Sequence, residues 1–349
     1  MADRSKKSKS GVFLFFGALV IIFFIMIISD YRSDLMFEFP SPKKGVKQLV
    51  TLGNKLIAVS GENEIYVWDW SDLPAIYKTG MIEADKVNAV SGGNFIAVDP
   101  RKNLLIVTSL RENKPLKQLL LPLGKRCTKL KVSPNGINTV IALQTSRSSD
   151  NDFQIAVTDN SLSTLSEVIT KNKEDKLVLN DIAITNDGKY IVATGKSDAG
   201  WMLVADAGRK TVVWEKVIPD SAKLDLVTFS PDGQMIYAST SSRNVGIFKT
   251  ATGELVKKLE IEKYKTPLNN PQTISCINIS PDSRLLAVSS VPASKIWLWD
   301  AKTGERIAVI GPGQFTVISL AFSPDSSLLA SGDLIGKVQI KVWSISDEY

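Results

Sequence analysis

The 349-residue sequence contains no histidine and only two cysteines, Cys127 and Cys276. Without imidazole, a Ser-His-Asp or Cys-His catalytic group, a histidine-ligated metal and a histidine pH switch are all excluded. The two cysteines lie far apart and form no CxxC motif, which excludes a zinc knuckle, an iron–sulfur site and a disulfide-rich scaffold. Composition alone therefore removes several classes of enzyme and metalloprotein.

One long run without charge is present, GVFLFFGALVIIFFIMII from Gly11 to Ile28. At about 1.5 Å per residue, a helix of this length is roughly as long as the hydrocarbon layer of a bilayer is thick. We predict a transmembrane helix over residues 11–29 that anchors the chain in the lipid bilayer. A cleaved signal peptide is the alternative, but the run is longer than the usual ~7 to 15 residues and no small-x-small cleavage site follows it.

The flanks of this run predict its orientation. Four basic residues precede it, at Arg4, Lys6, Lys7 and Lys9, whereas acidic and basic residues alternate in DYRSD just after it. Basic residues favour the cytoplasmic side of a membrane. We therefore expect a cytoplasmic tail (1–10), a short tether (30–34) and an exported domain (35–349) on the periplasmic or extracytoplasmic side. A second basic cluster at 43–47 leaves the opposite orientation open.

The exported part repeats one kind of turn. Its clearest copies are SPNG (133–136), TNDG (185–188), SPDG (230–233), SPDS (280–283) and SPDS (323–326). Proline in the second position, Asp or Asn in the third and glycine in the fourth favour a tight hairpin turn. With two weaker copies, the equivalent positions are Gly53, Gly93, Asn135, Asp187, Asp232, Asp282 and Asp325.

Each of these units except the last reads as four short alternating strands, and the period is about 45 residues. Strand units repeating at roughly 40 to 50 residues are typical of β-propellers. We predict an all-β fold, a seven-bladed propeller. The last unit has only three strands before the chain ends, and LMFEFP (35–40) precedes the first complete unit. We expect 35–40 to supply the missing outer strand of the last blade, because such closure removes an exposed sheet edge.

The chain resembles WD40-type propellers, and the broader WD40-like and YVTN-like set. The segments that resemble the family's repeat are IYVWD (65–69), IWLWDAKTG (296–304), AFSPDSSLLASGD (321–333) and IKVWS (340–344). The position of the family's third-strand tryptophan is occupied by Trp68, Thr108, Thr158, Ala205, Phe248, Trp299 and Trp343. The family's Gly-His dipeptide is absent, so its histidine-centred hydrogen-bond network cannot form here.

We identify no catalytic residue, no cofactor-binding residue and no metal ligand. Cys127 and Cys276 fall on predicted first strands, which would line the central channel, and we interpret both as buried free thiols. The sequence lacks a Walker A loop and a dinucleotide-binding fingerprint. An enzyme of the lactonase or quinoprotein type remains the alternative, and it would require carboxylates such as Asp99, Asp181 and Asp225 to converge at the channel mouth.

The longest loops are predicted to share one face of the propeller, which is where rigid scaffolds often carry binding residues. The candidate partner-binding residues in these loops are Arg126, Arg147, Arg243, Lys263, Tyr264 and Lys265. The exported part has a mild basic excess without interleaved aromatic residues, so we expect no nucleic-acid partner. The predicted function is a non-catalytic protein-interaction scaffold or accessory subunit of an envelope complex, with membrane or envelope proteins as partners.

Overall fold

The fold is described from a computed structural model. It describes residues 35–39, 45–62, 64–79, 86–90, 94–109, 114–145, 152–159, 161–219, 221–240, 243–263, 272–293, 295–311, 316–333 and 340–345. The predicted tail (1–10), transmembrane helix (11–29) and tether (30–34) lie outside these residues. Within the described residues, no helix has the length and apolar character needed to cross a membrane.

The described residues form seven four-stranded antiparallel sheets, the blades of a propeller, which confirms the predicted all-β fold. The first strand of the chain is β1 (Leu35–Phe39). Blade 1 contains β2 (Val46–Leu52), β3 (Lys55–Ser60), β4 (Ile65–Asp69) and β5 (Asp72–Thr79); blade 2 contains β6 (Lys86–Val90), β7 (Asn94–Asp99), β8 (Leu104–Ser109) and β9 (Lys114–Leu120); blade 3 contains β10 (Lys125–Val132), β11 (Asn138–Thr145), β12 (Phe153–Asp159) and β13 (Ser166–Lys171).

The remaining blades follow the same order after a 3₁₀ turn at Lys173–Asp175. Blade 4 contains β14 (Val178–Ile184), β15 (Tyr190–Lys196), β16 (Gly200–Asp206) and β17 (Thr211–Ile218); blade 5 contains β18 (Leu224–Phe229), β19 (Met235–Thr240), β20 (Asn244–Lys249) and β21 (Leu255–Glu260); blade 6 contains β22 (Thr273–Ile279), β23 (Leu285–Val291), β24 (Lys295–Asp300) and β25 (Arg306–Ile310); blade 7 contains β26 (Val317–Phe322), β27 (Leu328–Asp333) and β28 (Ile340–Ser344).

The middle strands of a blade are buried on both faces, and the outer strands are exposed. Every residue of β16 is buried, whereas β17 beside it is exposed along most of its length. A strand packed between two neighbouring sheets needs apolar residues on both faces, so it reads as a continuous apolar run. The third-strand positions fit this pattern, because all seven are buried: Trp68, Thr108, Thr158, Ala205, Phe248, Trp299 and Trp343.

The hydrophobic core is divided among the spaces between adjacent blades. Seven clusters of buried side chains occur in the described residues, and each joins one pair of neighbouring blades. One of them joins Val46 and Trp68 of blade 1 to Ile340 and Val342 of blade 7. The blades therefore form a closed ring in which every blade packs against two others.

Strand β1 completes blade 7 as its outer strand. It pairs antiparallel with β28, with Glu38 opposite Lys341 and Phe39 opposite Ile340. The sheet order is β1-β28-β27-β26, so blade 7 combines the first described strand with the last three. Residues 35–39 thus occupy the position that the sequence predicts for 35–40, and residue 40 lies outside the described residues.

The turns between first and second strands share one hydrogen-bond network in blades 3 to 7. In blade 4, the Thr185 hydroxyl donates to the Asp187 carboxylate at 2.6 Å, and that carboxylate accepts the Lys189 backbone N–H at 2.9 Å. The Thr185 hydroxyl in turn accepts the backbone N–H of Tyr190 at 2.9 Å. The same three bonds recur in the turns that begin at Ser133, Ser230, Ser280 and Ser323. These turns are the predicted hairpins.

The two faces of the propeller carry different connections because the strands of each blade alternate in direction. The face on which every first strand begins also carries the second-to-third-strand loops and the links between blades, and we name it the loop face. The opposite face carries the first-to-second and third-to-fourth turns, and we name it the turn face.

Candidate functional site

The seven first strands surround a central channel. A cavity of about 340 Å³ in this channel is lined by residues from β2, β6, β10, β14, β18, β22 and β26. Its charged lining residues are Lys47, Lys86, Lys129, Lys131 and Asp181. The channel is thus a polar, charged space at the centre of the ring.

Polar side chains on the first strands connect neighbouring blades. The Gln48 side chain donates to the Val87 carbonyl at 2.8 Å, and the Asn278 side chain donates to the Leu320 carbonyl at 2.8 Å. The Ser319 hydroxyl accepts the backbone N–H of Leu49 at 2.8 Å, across the junction of blades 7 and 1. In a chain without histidine, these bonds link the blades in addition to apolar packing. They were not predicted from the sequence.

The three carboxylates that an enzyme would need each have their own partners. Asp181 is buried and lies 3.9 Å from Lys129 Nζ and 3.9 Å from Lys131 Nζ. Asp225 lies 2.9 Å from Lys223 Nζ and accepts a hydrogen bond from the Asn180 side chain at 3.1 Å.

Asp99 is the last residue of β7 and lies on the loop face, where the loop to β8 begins. Its carboxylate accepts the backbone N–H groups of Arg101 and Lys102 at 2.9 and 3.0 Å, so it stabilises its own turn. In the part of the chain that the structure describes, no group of three or more Cys, Asp or Glu side chains could hold a metal ion.

Both cysteines are free thiols on first strands, as predicted, but only Cys127 is fully buried, whereas Cys276 is partly buried. Cys276 lines the channel cavity, and burial raises the pKa of its thiol to about 11. The thiol is therefore protonated near neutral pH and is a poor nucleophile. Cys127 instead packs into the apolar cluster between blades 2 and 3, beside Leu130 and Leu143, because its side chain faces the neighbouring blade. The expectation that both cysteines line the channel is thus met only by Cys276.

Three of the candidate partner-binding residues are described, and all three lie on the loop face. Arg126 is exposed near the start of β10, and Lys263 is exposed after β21. Arg243 is partly buried: its guanidinium donates to the Ile261 carbonyl at 2.7 Å and pairs with Glu260 at 3.1 Å.

These contacts give Arg243 a structural role within blade 5, because they tie the loop before β20 to the end of β21. Arg243 and Lys263 belong to the same blade, whereas Arg126 belongs to blade 3. The other three candidates, Arg147, Tyr264 and Lys265, lie outside the described residues.

The turn face has cavities of its own. One of about 680 Å³ lies between blades 4 and 5, with Tyr190, Pro231 and Met235 in its lining. Another of about 640 Å³ lies between blades 3 and 4 and is lined by turn residues such as Asp159 and Lys210. Concave surfaces therefore occur on the turn face as well as in the channel.

One segment of the chain matches a known family. Residues 304–336 match the family model described as "WD domain, G-beta repeat". This segment contains β25 of blade 6 together with β26 and β27 of blade 7, so the sequence repeat straddles two blades. It also contains the segment AFSPDSSLLASGD (321–333). The match to the family model therefore confirms the WD40 resemblance in this part of the chain.

The chain also matches longer WD-repeat proteins. It is 24% identical over 204 residues to the "Periodic tryptophan protein 2 homolog" of Dictyostelium discoideum, covering 48% of this chain and 22% of that protein. It is 31% identical over 87 residues to "WD repeat-containing protein 1" of Gallus gallus, covering 24% of this chain and 14% of that protein. The chain therefore spans less than a quarter of the length of these two relatives.

Solved propellers superpose over most of the chain. A chain of "Kuenenia stuttgartiensis Hydrazine Synthase" aligns with a TM-score of 0.69 and 16% identity, covering 88% of this chain and 98% of that chain. A chain of "Crystal Structure of Mitotic Checkpoint Complex" aligns with a TM-score of 0.68 and 14% identity, covering 99% and 97%. At these identities the likeness shows the fold alone.

Proposed function

We propose that this protein is a non-catalytic protein-interaction scaffold, an accessory subunit of an envelope complex, held at the membrane with its propeller on the exported side. The observation that carries the protein-binding part is the closed ring of seven blades, in which the second strand of every blade ends, and the third strand begins, at one face. Binding residues on the loops of a rigid core can be varied without changing the fold.

The comparisons support protein binding as the role of this ring. WD-repeat propellers typically act as protein-interaction scaffolds, and one solved neighbour comes from a multi-protein assembly, the Mitotic Checkpoint Complex. The three carboxylates that the enzyme alternative requires are each held by partners of their own, so no specific observation favours that alternative.

Charge reversal on the loop face tests the proposal. Arg126→Glu and Lys263→Glu, introduced together in the full chain, should reduce co-purification of partner proteins from solubilised membranes at least fivefold, because both side chains are exposed on this face. Quantitative mass spectrometry of the captured proteins provides the measurement.

A matched control is a double reversal on the turn face, at exposed Lys210 and Lys302. This control should retain the partners. Equal recovery of the same proteins with the loop-face variant and with the unaltered chain would count against the loop face as the binding surface.

The membrane part of the proposal rests on the uncharged run at 11–28 and its basic flank. Protease added to intact spheroplasts should degrade residues after 30 and leave a tag at the N-terminus protected. Digestion of the N-terminal tag with protection of the propeller would contradict the proposed orientation. Release of the intact chain by carbonate washing would contradict the anchor.

A further inference from the structure

The direction of β1 determines the face of the propeller from which the chain leads back to the predicted transmembrane helix (11–29). Leu35, the first residue of β1, lies opposite Trp343 near the end of β28. The backbone N–H of Ile345, directly after β28, donates to the Ser327 carbonyl at 2.8 Å, in the first-to-second-strand turn of blade 7. β1 therefore begins at the turn face.

β1 ends at the opposite face. Its last residue, Phe39, pairs with Ile340, the first residue of β28. Blade 1 then starts at the loop face, because the backbone N–H of Gly61, directly after β3, donates to the Gly45 carbonyl at 3.0 Å. The strand thus runs from the turn face to the loop face, as the fourth strand of every other blade does.

The chain between the predicted helix and β1 is short. Fully extended, the tether (30–34) bridges at most about 20 Å between the end of the helix and Leu35. The headgroup layer of a bilayer takes up roughly 6 Å of this distance. About 14 Å therefore remains between the headgroup surface and Leu35.

The ring is thicker than this reach. In blade 7 the first strand, β26, has six residues, and a strand of this length spans roughly 20 Å between the two faces. If the loop face lay on the bilayer, Leu35 would stand at least one ring thickness above the headgroups. The tether is too short for that arrangement, whereas it reaches the turn face without strain.

We propose that the short tether holds the propeller with its turn face toward the lipid headgroups and its loop face turned away from the bilayer. This inference rests on the membrane anchor of the proposed function and adds the side from which partners approach. The loop face then stands roughly 20 Å or more above the headgroups, the thickness of the ring. Transmembrane segments of other proteins end below this level, so the partners of the loop face are water-soluble domains.

Energy transfer from the propeller to labelled lipid tests the orientation. The full chain is reconstituted into vesicles of phosphatidylethanolamine and phosphatidylglycerol that contain an acceptor-labelled lipid. A donor fluorophore is attached through an unnatural amino acid at one exposed position at a time. Lys196 and Lys210 form a matched pair on the loop face and the turn face of blade 4, and Arg126 and Ile137 form a second such pair in blade 3. In each pair, transfer should be at least twofold more efficient from the turn-face position.

A longer tether provides the control. Insertion of about twenty flexible Gly and Ser residues between positions 34 and 35 removes the limit on reach. The difference between the faces should then disappear, while β1 and the ring are retained. A difference that the insertion leaves unchanged would overturn the role of the tether.

Flotation of the chain with the vesicles separates this inference from the anchor itself. A chain that floats but shows equal or stronger transfer from the loop-face positions would overturn the orientation alone. A chain that does not float and shows no transfer from any position would refute the anchor, and the orientation with it.

Discussion

At the residue scale, short polar turns stabilise the hairpins of this propeller. In blades 4 and 7, the hydroxyls of Thr185 and Ser323 donate to Asp187 and Asp325, and these bonds are the main reason why the pKa of each carboxyl lies below its ordinary value. Backbone N–H donors two residues further on act in the same direction. The ionised carboxylates therefore contribute to stability.

These pKa shifts predict sensitivity to acid. A carboxyl whose pKa is lower in the folded chain stabilises the fold fully above its unfolded value of about 3.9, and this stabilisation is lost as the pH falls through the folded pKa. Asp325→Ala should cost about 1 kcal/mol at pH 7 and clearly less at pH 3, measured by urea unfolding. Asp198→Ala, at an exposed loop position, is the control and should have little effect at either pH. An equal cost of Asp325→Ala at both pH values would contradict this explanation.

The fourth turn position provides a matched pair of serines in the left-handed region. Ser283 has φ +66° and Ser326 has φ +64°, where the equivalent turns of blades 3 to 5 have glycine. In this conformation serine has a steric cost that glycine lacks. This steric cost is larger than the conformational entropy that glycine loses on folding. Ser283→Gly should therefore stabilise the fold by about 0.5 kcal/mol in thermal unfolding.

The Ser326 hydroxyl accepts the backbone N–H of Asp282 at 3.1 Å, so Ser326→Gly loses a bond to the neighbouring blade and should bring no gain. If both variants shifted stability equally, the hydroxyl of Ser326 would have no role in linking blades 6 and 7.

At the element scale, closure of the ring depends on one short strand. β1 covers the edge of β28, which would otherwise present unpaired backbone groups to solvent or to another chain. Because it joins the two ends of the described chain, it also constrains the ring as a whole. Blade 7 therefore depends on β1 for the pairing of its outer edge.

Deletion of 35–40 tests this dependence. The shortened chain should melt at a lower temperature and form oligomers through the exposed β28 edge, as measured by calorimetry and light scattering. Substitution of 35–39 by another alternating strand sequence of equal length should restore much of the stability, because backbone pairing provides the closure. An unchanged melting temperature after deletion would contradict the role of β1.

The elements were largely predictable from the sequence, because turn chemistry and alternation are local signals. The turn sequences that begin at Ser230 and Ser323 each predict a hairpin from only a few residues. The side of each first strand that faces the channel was not predictable. The register of β10 shifts between Cys127 and Lys129, and Cys127 packs against the neighbouring blade, whereas Cys276 follows a similar shift in β22 and lines the channel.

At the scale of the whole molecule, the ring brings together residues from opposite ends of the chain. The Ser319 hydroxyl and the Leu49 backbone are bonded across 270 positions of sequence. Contacts of this kind depend on the angle between blades and carry no local sequence signal. For the same reason, the approach of Lys129 and Lys131 to Asp181 could not be predicted from the sequence.

We propose that this propeller binds protein partners through its loop face while held at the membrane. Site-specific photo-crosslinking in intact membranes tests this proposal, with a photoreactive amino acid placed at position 126, 263 or, on the turn face, 210. We predict discrete adducts with the same protein from positions 126 and 263, and none from position 210. Adducts from position 210 alone, or no protein adduct from either loop-face position, would contradict the claim.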